Sequence, residues 1–461
     1  MTVNHVPDDV LMALSELSGR VALVVGAGCS LEDPTSLELA RTYALQLHDK
    51  LLRDGVLIDG DCGNPEDLSA VADAVMDKRG TQKPVVDRLP RRDFRLARAN
   101  EGYLCAAALL RERAVIAVLT LNFDLALTAA LSELSASEVD VVPGPRAMGD
   151  LGSATVVYLH RNVDEDDPEK WILTTEALTE AWRDNWEEVV ARRVMTSPVV
   201  IFAGLGSPAA VLTETITRVR QTIDIEHQRA LVVDPADSTE FEEALDLSGD
   251  SHVQSGWCDF MKLLASRVAE ELRARLTDSC QNLCSQHNWG DKPGRISSLT
   301  ARLYESGLVA AGKTKAAWLL DTQNYAPDDE RRELVADLLL GIGLIEEQLG
   351  FSAAFSEDGL VYLLDAQKVR ATLGVASGRG SLRWAALEAR VSARFRDAQA
   401  PFRPDYVLLS GLVGLRPDGL APPTDIAFGD AADDITYGHA EPVLVMVDEV
   451  REGSITLDGA T

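Results

Sequence analysis

One unit recurs five times along the first half of the chain. A short run of consecutive apolar residues ends in small or polar ones, then gives way to a segment of helical spacing. The runs fall at 21–25, 114–120, 155–159, 199–203 and 230–233, and are rich in Val, Ala, Leu and Ile. Positions that are apolar consecutively rather than alternately predict strands covered on both faces. Helical periodicity fills 1–20, 37–53, 66–78, 96–113, 176–193, 212–223 and 257–276. Within 37–53, Leu37, Ala44, Leu47 and Leu51 share one face. Buried strands alternating with helices predict an α/β fold with a doubly wound parallel sheet.

The pattern changes at Trp289-Gly290-Asp291-Lys292-Pro293-Gly294, a stretch suited to a linker. Residues 296–349 are mostly helical in period, and strands are expected at 360–364, 406–409 and 443–447. The expected division is a first domain over 1–289 and a second, α+β domain over 290–461. The second shows no catalytic constellation. By elimination it reads as an assembly or partner-binding domain.

Composition narrows the setting. A chain of 461 residues can bury more than one core. It has no apolar run of 18 residues, so no membrane span is expected. Residues 1–10 include Asp8 and Asp9 and lack the charge and apolar pattern of a secretory leader. Six scattered cysteines suit a reducing cytoplasm. Lys+Arg number 44 against 73 Asp+Glu, a formal net charge of −29, which repels phosphate backbones and disfavours direct nucleic-acid binding. The exception is the basic island 88–98, Arg-Leu-Pro-Arg-Arg-Asp-Phe-Arg-Leu-Ala-Arg. It reads as a solvated face or as a contact for a partner or phosphate.

Candidate chemistry gathers where the runs end. The first ends in Gly26-Ala27-Gly28 and Ser30, the second in Asn122 and Asp124, and the third in His160. The fourth ends in Gly204, Gly206 and Ser207, and the fifth in Asp234. Open parallel sheets bind ligands outside the carboxyl ends of their strands, so these residues would share one rim. A strand, a glycine turn and a helix can cradle a diphosphate on backbone N–H groups. The third glycine of the dinucleotide fingerprint is absent, Leu31 standing in its place. Each feature has a plainer reading. The turn could be generic, Asn122 and Asp124 could cap the next helix, and His160 could be a satisfied core histidine.

Two further motifs are read as coincidences. Gly-Leu-Val-Ala-Ala-Gly-Lys-Thr at 307–314 matches the P-loop pattern, and 443–449 resembles a strand supplying a magnesium-binding Asp. A P-loop needs a strand before its first glycine, whereas 296–306 is helical in period. Cys280, Cys284 and His287 share one helix face without an evident fourth ligand.

Taken in order, Gly-Ala-Gly-Cys-Ser before Pro34, Thr-Leu-Asn-Phe-Asp at 120–124, Leu159-His160 and 204–207 resemble the sirtuin family. The resemblance covers about 10–278 and is closest to bacterial sirtuin-like proteins of antiphage defence, where an acidic stretch and a Thr-rich strand follow the His. Here these are 164–167 and 172–175. It implies a sirtuin-like Rossmann domain with NAD as substrate. It also implies that Asp124 holds the carboxamide, Asn122 bonds the ribose or attacking water, and His160 acts as general base. Gly26, Ala27, Gly28 and Ser30 would cradle the diphosphate, with Gly204, Ser207 and Asp234 on the adenosine side. Two departures are informative. The cysteine pairs that hold zinc in sirtuin deacylases are missing between His160 and Gly204, so no metal and no protein deacylation are expected. Arg161 stands where a glycine usually follows the His. Water is then the acceptor, giving nicotinamide and ADP-ribose. The resemblance further implies a cytoplasmic defence effector, triggered by homo-oligomer assembly or by a partner ATPase, an Argonaute or a phage protein. The alternative is a non-catalytic NAD- or ADP-ribose-binding subunit of such a complex.

Overall fold

The computed structural model describes residues 6–145, 154–182, 185–205, 210–222, 228–236, 251–287, 293–319, 329–377, 404–410 and 443–453, with single positions between 241 and 247. Two compact units emerge, Met1–Val268 and Ala269–Thr461. The linker expected at 289–294 falls mostly outside the described residues.

The first unit is built on seven strands: β1 Val21–Val25, β2 Val115–Thr120, β3 Asp140–Val142, β4 Thr155–Tyr158, β5 Val199–Ala203, β6 Arg229–Asp234 and β7 His252–Gln254. Their order is β3-β4-β2-β1-β5-β6-β7, and every pair is parallel. The five apolar runs are all strands, and β1 and β5 are buried at every position. Full burial of a side chain such as Leu23 or Phe202 contributes about 2 kcal/mol over leaving it in water. The short strands β3 and β7 lie at the two edges.

Helices fill the crossovers. The Leu68–Arg79 helix shows how the sequence sets their ends. The Asp67 carboxylate accepts from Ser69 N–H at 2.8 Å, and Gly80 closes it in the left-handed conformation at φ 65°. The stretch expected as one helix over 176–193 forms two, Thr175–Ala181 and Trp186–Val194. After β1 the chain adds β2, then β3 at the edge and β4 between them, and then returns across β1 to β5. Open parallel sheets bind ligands at the carboxyl ends of the strands beside such a reversal, here β2, β1 and β5.

A long helix, Trp257–Gln286, runs ten residues past its expected end at 276. The second unit contains the helices Pro293–Leu303, Gly307–Trp318 and Asp329–Leu349. It also holds β8 Ser352–Phe355, β9 Val361–Asp365, β10 Lys368–Ser377, β11 Tyr406–Ser410 and β12 Val443–Met446. These form one sheet, β12-β11-β10-β9-β8, antiparallel from β8 to β10 and parallel from β10 to β12.

The P-loop look-alike is a helix. All of 307–314 lies within Gly307–Trp318, where the Thr314 hydroxyl donates to Ala310 O at 3.0 Å and Lys313 pairs with Glu357 at 3.2 Å. Cys280 and Cys284 are buried on the Trp257–Gln286 helix, the Cys280 thiol 3.8 Å from Ala336 O. Among the described residues, no helix is long and apolar enough to cross a membrane.

Candidate functional site

Beyond Val25 the backbone turns sharply against the turn after β5. Gly26 N–H donates to Ala203 O at 3.0 Å, and Gly28 N–H to Gly204 O at 2.9 Å. A Cβ on Gly28 would sit 2.7 Å from Gly204 Cα. A Cβ on Gly204, itself at φ 65°, would sit 2.5 Å from Cys29 N. The glycines are thus required by the chain itself, which here packs backbone on backbone.

One 3-10 turn, Ala27–Ser30, then carries Ser30 inward. Asn100 fixes it from outside: its Nδ2 donates to Cys29 O at 2.8 Å, while its Oδ1 accepts from Tyr103 N–H at 3.0 Å. The same side chain therefore caps the Glu101–Arg111 helix and holds the turn. This sets Tyr103, in the first turn of that helix, against Ser30.

Four side chains meet at the carboxyl ends of β1 and β2. Asn122 Nδ2 lies 3.1 Å from Gly26 O, 3.0 Å from Tyr103 Oη and 3.2 Å from Ser30 Oγ. Tyr103 Oη and Ser30 Oγ are 2.8 Å apart, and Ser30 Oγ donates to Asp124 Oδ2 at 2.9 Å. Asp124 Oδ1 accepts from Ala126 N–H at 2.9 Å, so Asp124 also starts the Ala126–Glu133 helix. The carboxylate thus braces the first N–H of that helix from just before its N-cap, Leu125, while its other oxygen faces Ser30. All four are buried. Burial raises the Asp124 carboxyl, against the stabilising Ala126 N–H and Ser30 hydroxyl. Burial, followed by the Asp124 charge, pushes the Tyr103 hydroxyl well above its usual value and keeps it a donor. Burial does the same to the adjacent Cys29 thiol, which is therefore no thiolate nucleophile.

His160 sits one strand over. Leu159 N–H donates to Thr120 O at 3.0 Å, setting the end of β4 beside the end of β2. The imidazole meets the Trp182 ring edge-on at a centroid distance of 6.3 Å. Part of the residue is accessible, yet its Nε2 is buried with no hydrogen-bond partner. The indole Nε1 atoms of Trp182 and Trp186 are in the same condition. Burial, with a smaller contribution from Arg161, lowers the imidazole to about 4, so it is neutral at physiological pH. No bond joins His160 to Asn122 or Asp124 among the described residues.

Arg161 keeps the left-handed backbone that suits a glycine, at φ 73°. Its guanidinium turns away to pair with Glu187 at 2.9 Å and lies over the Trp186 ring at 5.7 Å. At the end of β6, Asp234 Oδ1 accepts from Ala236 N–H at 2.9 Å. Ala27 lies in the 3-10 turn. Ser207 and Gly206 are outside the described residues.

Two features of the structure carry little signal in the sequence. Tyr103 gave no signal beyond a polar-tipped aromatic in an otherwise small and apolar helix. The basic island binds this chain's own loop after His160, rather than presenting only a solvated face. Arg91 Nη2 donates to Val163 O at 3.1 Å and Glu165 O at 3.3 Å, and its guanidinium lies over Trp171 at 5.7 Å. Arg95 reaches Asp164 Oδ1 at 3.0 Å and Val163 O at 3.1 Å.

No family model matches the chain, and no curated protein matches it by sequence. Among solved structures, a mutant Sir2 homologue in complex with ADP-ribose is similar at 16% identity. That match covers 58% of this chain and 98% of its own, with a TM-score of 0.33. A Sir2 homologue–NAD complex is similar at 15% identity, covering 59% and 96%, with a TM-score of 0.33. Likeness at this level carries no argument about chemistry, which rests on the site's geometry.

Proposed function

We propose that this chain is an NAD+ hydrolase that cleaves NAD+ to nicotinamide and ADP-ribose. One observation carries this reading: Ser30, Asn122 and Asp124 share a buried hydrogen-bond network at the ends of adjacent parallel strands, beside the unpartnered nitrogen of His160. Orphaned buried nitrogens call for a polar occupant. The sequence resemblance to sirtuins supplies the identity of that occupant.

The chemistry follows from the roles these groups can fill. Breaking the bond between nicotinamide and ribose leaves positive charge on the sugar, as in glycoside hydrolysis. Asp124 holds the nicotinamide carboxamide, and Asn122 bonds the ribose or the attacking water. A water attacks the sugar carbon and nicotinamide leaves with the bonding pair. Neutral His160 is able to take the proton that the water loses. Gly26, Ala27, Gly28 and Ser30 border the diphosphate side, where the Gly26 and Gly28 N–H groups already donate to Ala203 and Gly204 and so shape the turn rather than bind, and Gly204, Ser207 and Asp234 border the adenosine side. The biological reading is a cytoplasmic effector of bacterial antiphage defence. It is activated by homo-oligomer assembly or by a partner ATPase, an Argonaute or a phage protein.

Purified protein mixed with NAD+, alone and with such partners, should release nicotinamide detectable by chromatography. Its absence in every condition would count against hydrolysis. A second reading, a non-catalytic NAD- or ADP-ribose-binding subunit, draws on the lowered basicity of His160 and on Arg161. It expects saturable binding of NAD+ with no nicotinamide formed.

A further inference from the structure

With Asp124 ionised, the hydrogen bonds around Tyr103 run in one direction. Gly26 O is a carbonyl and can only accept, so the Asn122 amide must turn its Nδ2 toward it, at 3.1 Å. Ser30 has one hydroxyl hydrogen, and that is given to Asp124 Oδ2 at 2.9 Å. Ser30 Oγ must then accept from Tyr103 across 2.8 Å. Tyr103 Oη, having spent its own hydrogen, accepts the second Asn122 hydrogen at 3.0 Å, with Ser30 Oγ as a longer second acceptor at 3.2 Å. The result is a relay, Asn122 to Tyr103 to Ser30 to Asp124, each hydroxyl both accepting and donating. Its two ends come from the β2–helix turn, and its two middle members from the Glu101–Arg111 helix and the turn after β1.

Pinned through both amide hydrogens, Asn122 has one group left for a ligand, its Oδ1. We infer that Tyr103 is a positioning residue for the proposed NAD+ cleavage: it fixes the Asn122 amide so that Oδ1, and never Nδ2, faces the reacting sugar. An amide oxygen there accepts from a ribose hydroxyl or the attacking water and favours developing positive charge. A rotated amide would offer a donor and oppose it. Tyr103 is not called on to touch NAD+. It acts through the side chains it holds, Asn122 first and Ser30 beside it, and this inference rests on the hydrolase reading above.

The test compares the full chain with Tyr103→Phe, Asn122→Ala and the double variant. In nicotinamide release, Tyr103→Phe should lower kcat about tenfold, the scale of one lost orienting hydrogen bond, with KM for NAD+ unchanged. In the Asn122→Ala background the same change should cost no more than about twofold, the part that passes through Ser30. A loss that appears in KM, or that multiplies with Asn122→Ala, would overturn the inference.

A second measurement stands apart from activity, so the two readings fail separately. With asparagine side chains labelled with 15N, the Asn122 amide signal is identified by its loss in Asn122→Ala. Its hydrogens should exchange with solvent slowly in the parent and at least about tenfold faster in Tyr103→Phe. Equal exchange rates would overturn the positioning role even if the enzyme is active. Unequal rates would uphold the fixed amide even if wild type releases no nicotinamide. Should Tyr103→Phe fail to fold, 3-fluorotyrosine at position 103 keeps the shape and weakens the phenol oxygen as acceptor. Asn122 exchange should then quicken at an unchanged melting temperature, and no change would sink the relay.

Discussion

Gly28 and Gly204 meet backbone to backbone, the N–H of one donating to the carbonyl of the other at 2.9 Å, so the turns after β1 and β5 form a single joint. A methyl group at Gly204 would meet Cys29 N at 2.5 Å, on a backbone at φ 65°. Gly204→Ala combines overpacking with left-handed strain and should destabilise the first unit by about 3 kcal/mol. Urea unfolding checks this. An unchanged midpoint would show that the joint yields.

Asn122→Ala and His160→Ala should each lower NAD+ cleavage by at least about 100-fold, the scale of lost acid–base or charge-stabilising groups. Nicotinamide release by the two variants provides the measure. Full activity in both would remove these residues from the mechanism.

Stability should depend on pH through His160. Its folded value of about 4 lies below the ordinary 6.5, because burial disfavours the imidazolium. The unfolded chain therefore binds the proton first as pH falls. Stability is complete above about pH 7 and is lost between roughly 6.5 and 4, by up to about 3 kcal/mol. Asp124, raised by burial, acts in the opposite sense: its contribution is present at acid pH and lost as pH rises through its folded value. Urea midpoints at pH 7.5 and 4.5 should differ less in His160→Gln than in the parent, and equal slopes would deny His160 this role.

Arg161 and Glu187 set up a contest between strain and charge. Arg161→Gly relieves a left-handed conformation costing about 1–2 kcal/mol, but strips Glu187, only 4% exposed, of its Arg161 partner. Orphaning a buried charge costs about 3–5 kcal/mol, so the variant should be less stable. Adding Glu187→Gln should restore at least half of the loss. A double variant no better than the single would mean that the Trp186 contact, not the charge, is what matters.

Lys313→Ala should leave NAD+ cleavage unchanged and cost less than about 1 kcal/mol, as expected for an exposed ion pair to Glu357. Isothermal titration with ATP should give no heat for either protein. Saturable binding abolished by the substitution would revive the nucleotide-loop reading of 307–314.

The sheet was legible because its five long inner strands are apolar on both faces, a pattern that depends on no distant contact. Edge strands lack that signature. Asp140-Val141-Val142 and His252-Val253-Gln254 are three residues each and partly polar, and were not foreseen. In the second unit, β10 begins Lys-Val-Arg and contains Gly374, which hides a ten-residue strand. The site divides the same way. Ser30, Asn122, Asp124 and His160 are visible as polar punctuation after apolar runs. Tyr103 is not, because its meaning lies in a hydroxyl that reaches Ser30 across 73 residues of chain. The basic island misled for a related reason: Arg91 answers a carbonyl 72 residues away.

The position of β1 has a consequence for how this protein comes into being. It precedes every other described strand in the sequence, yet its neighbours on either side are β2 and β5. Ser30 must wait for Asp124, 94 residues later, and Gly28 must wait for residue 204. At roughly 5–20 residues per second, translation spans that second interval in about ten to thirty-five seconds, during which β1 has an open edge. The turn after β1 therefore reaches its final packing only when the far side of the sheet has been synthesised.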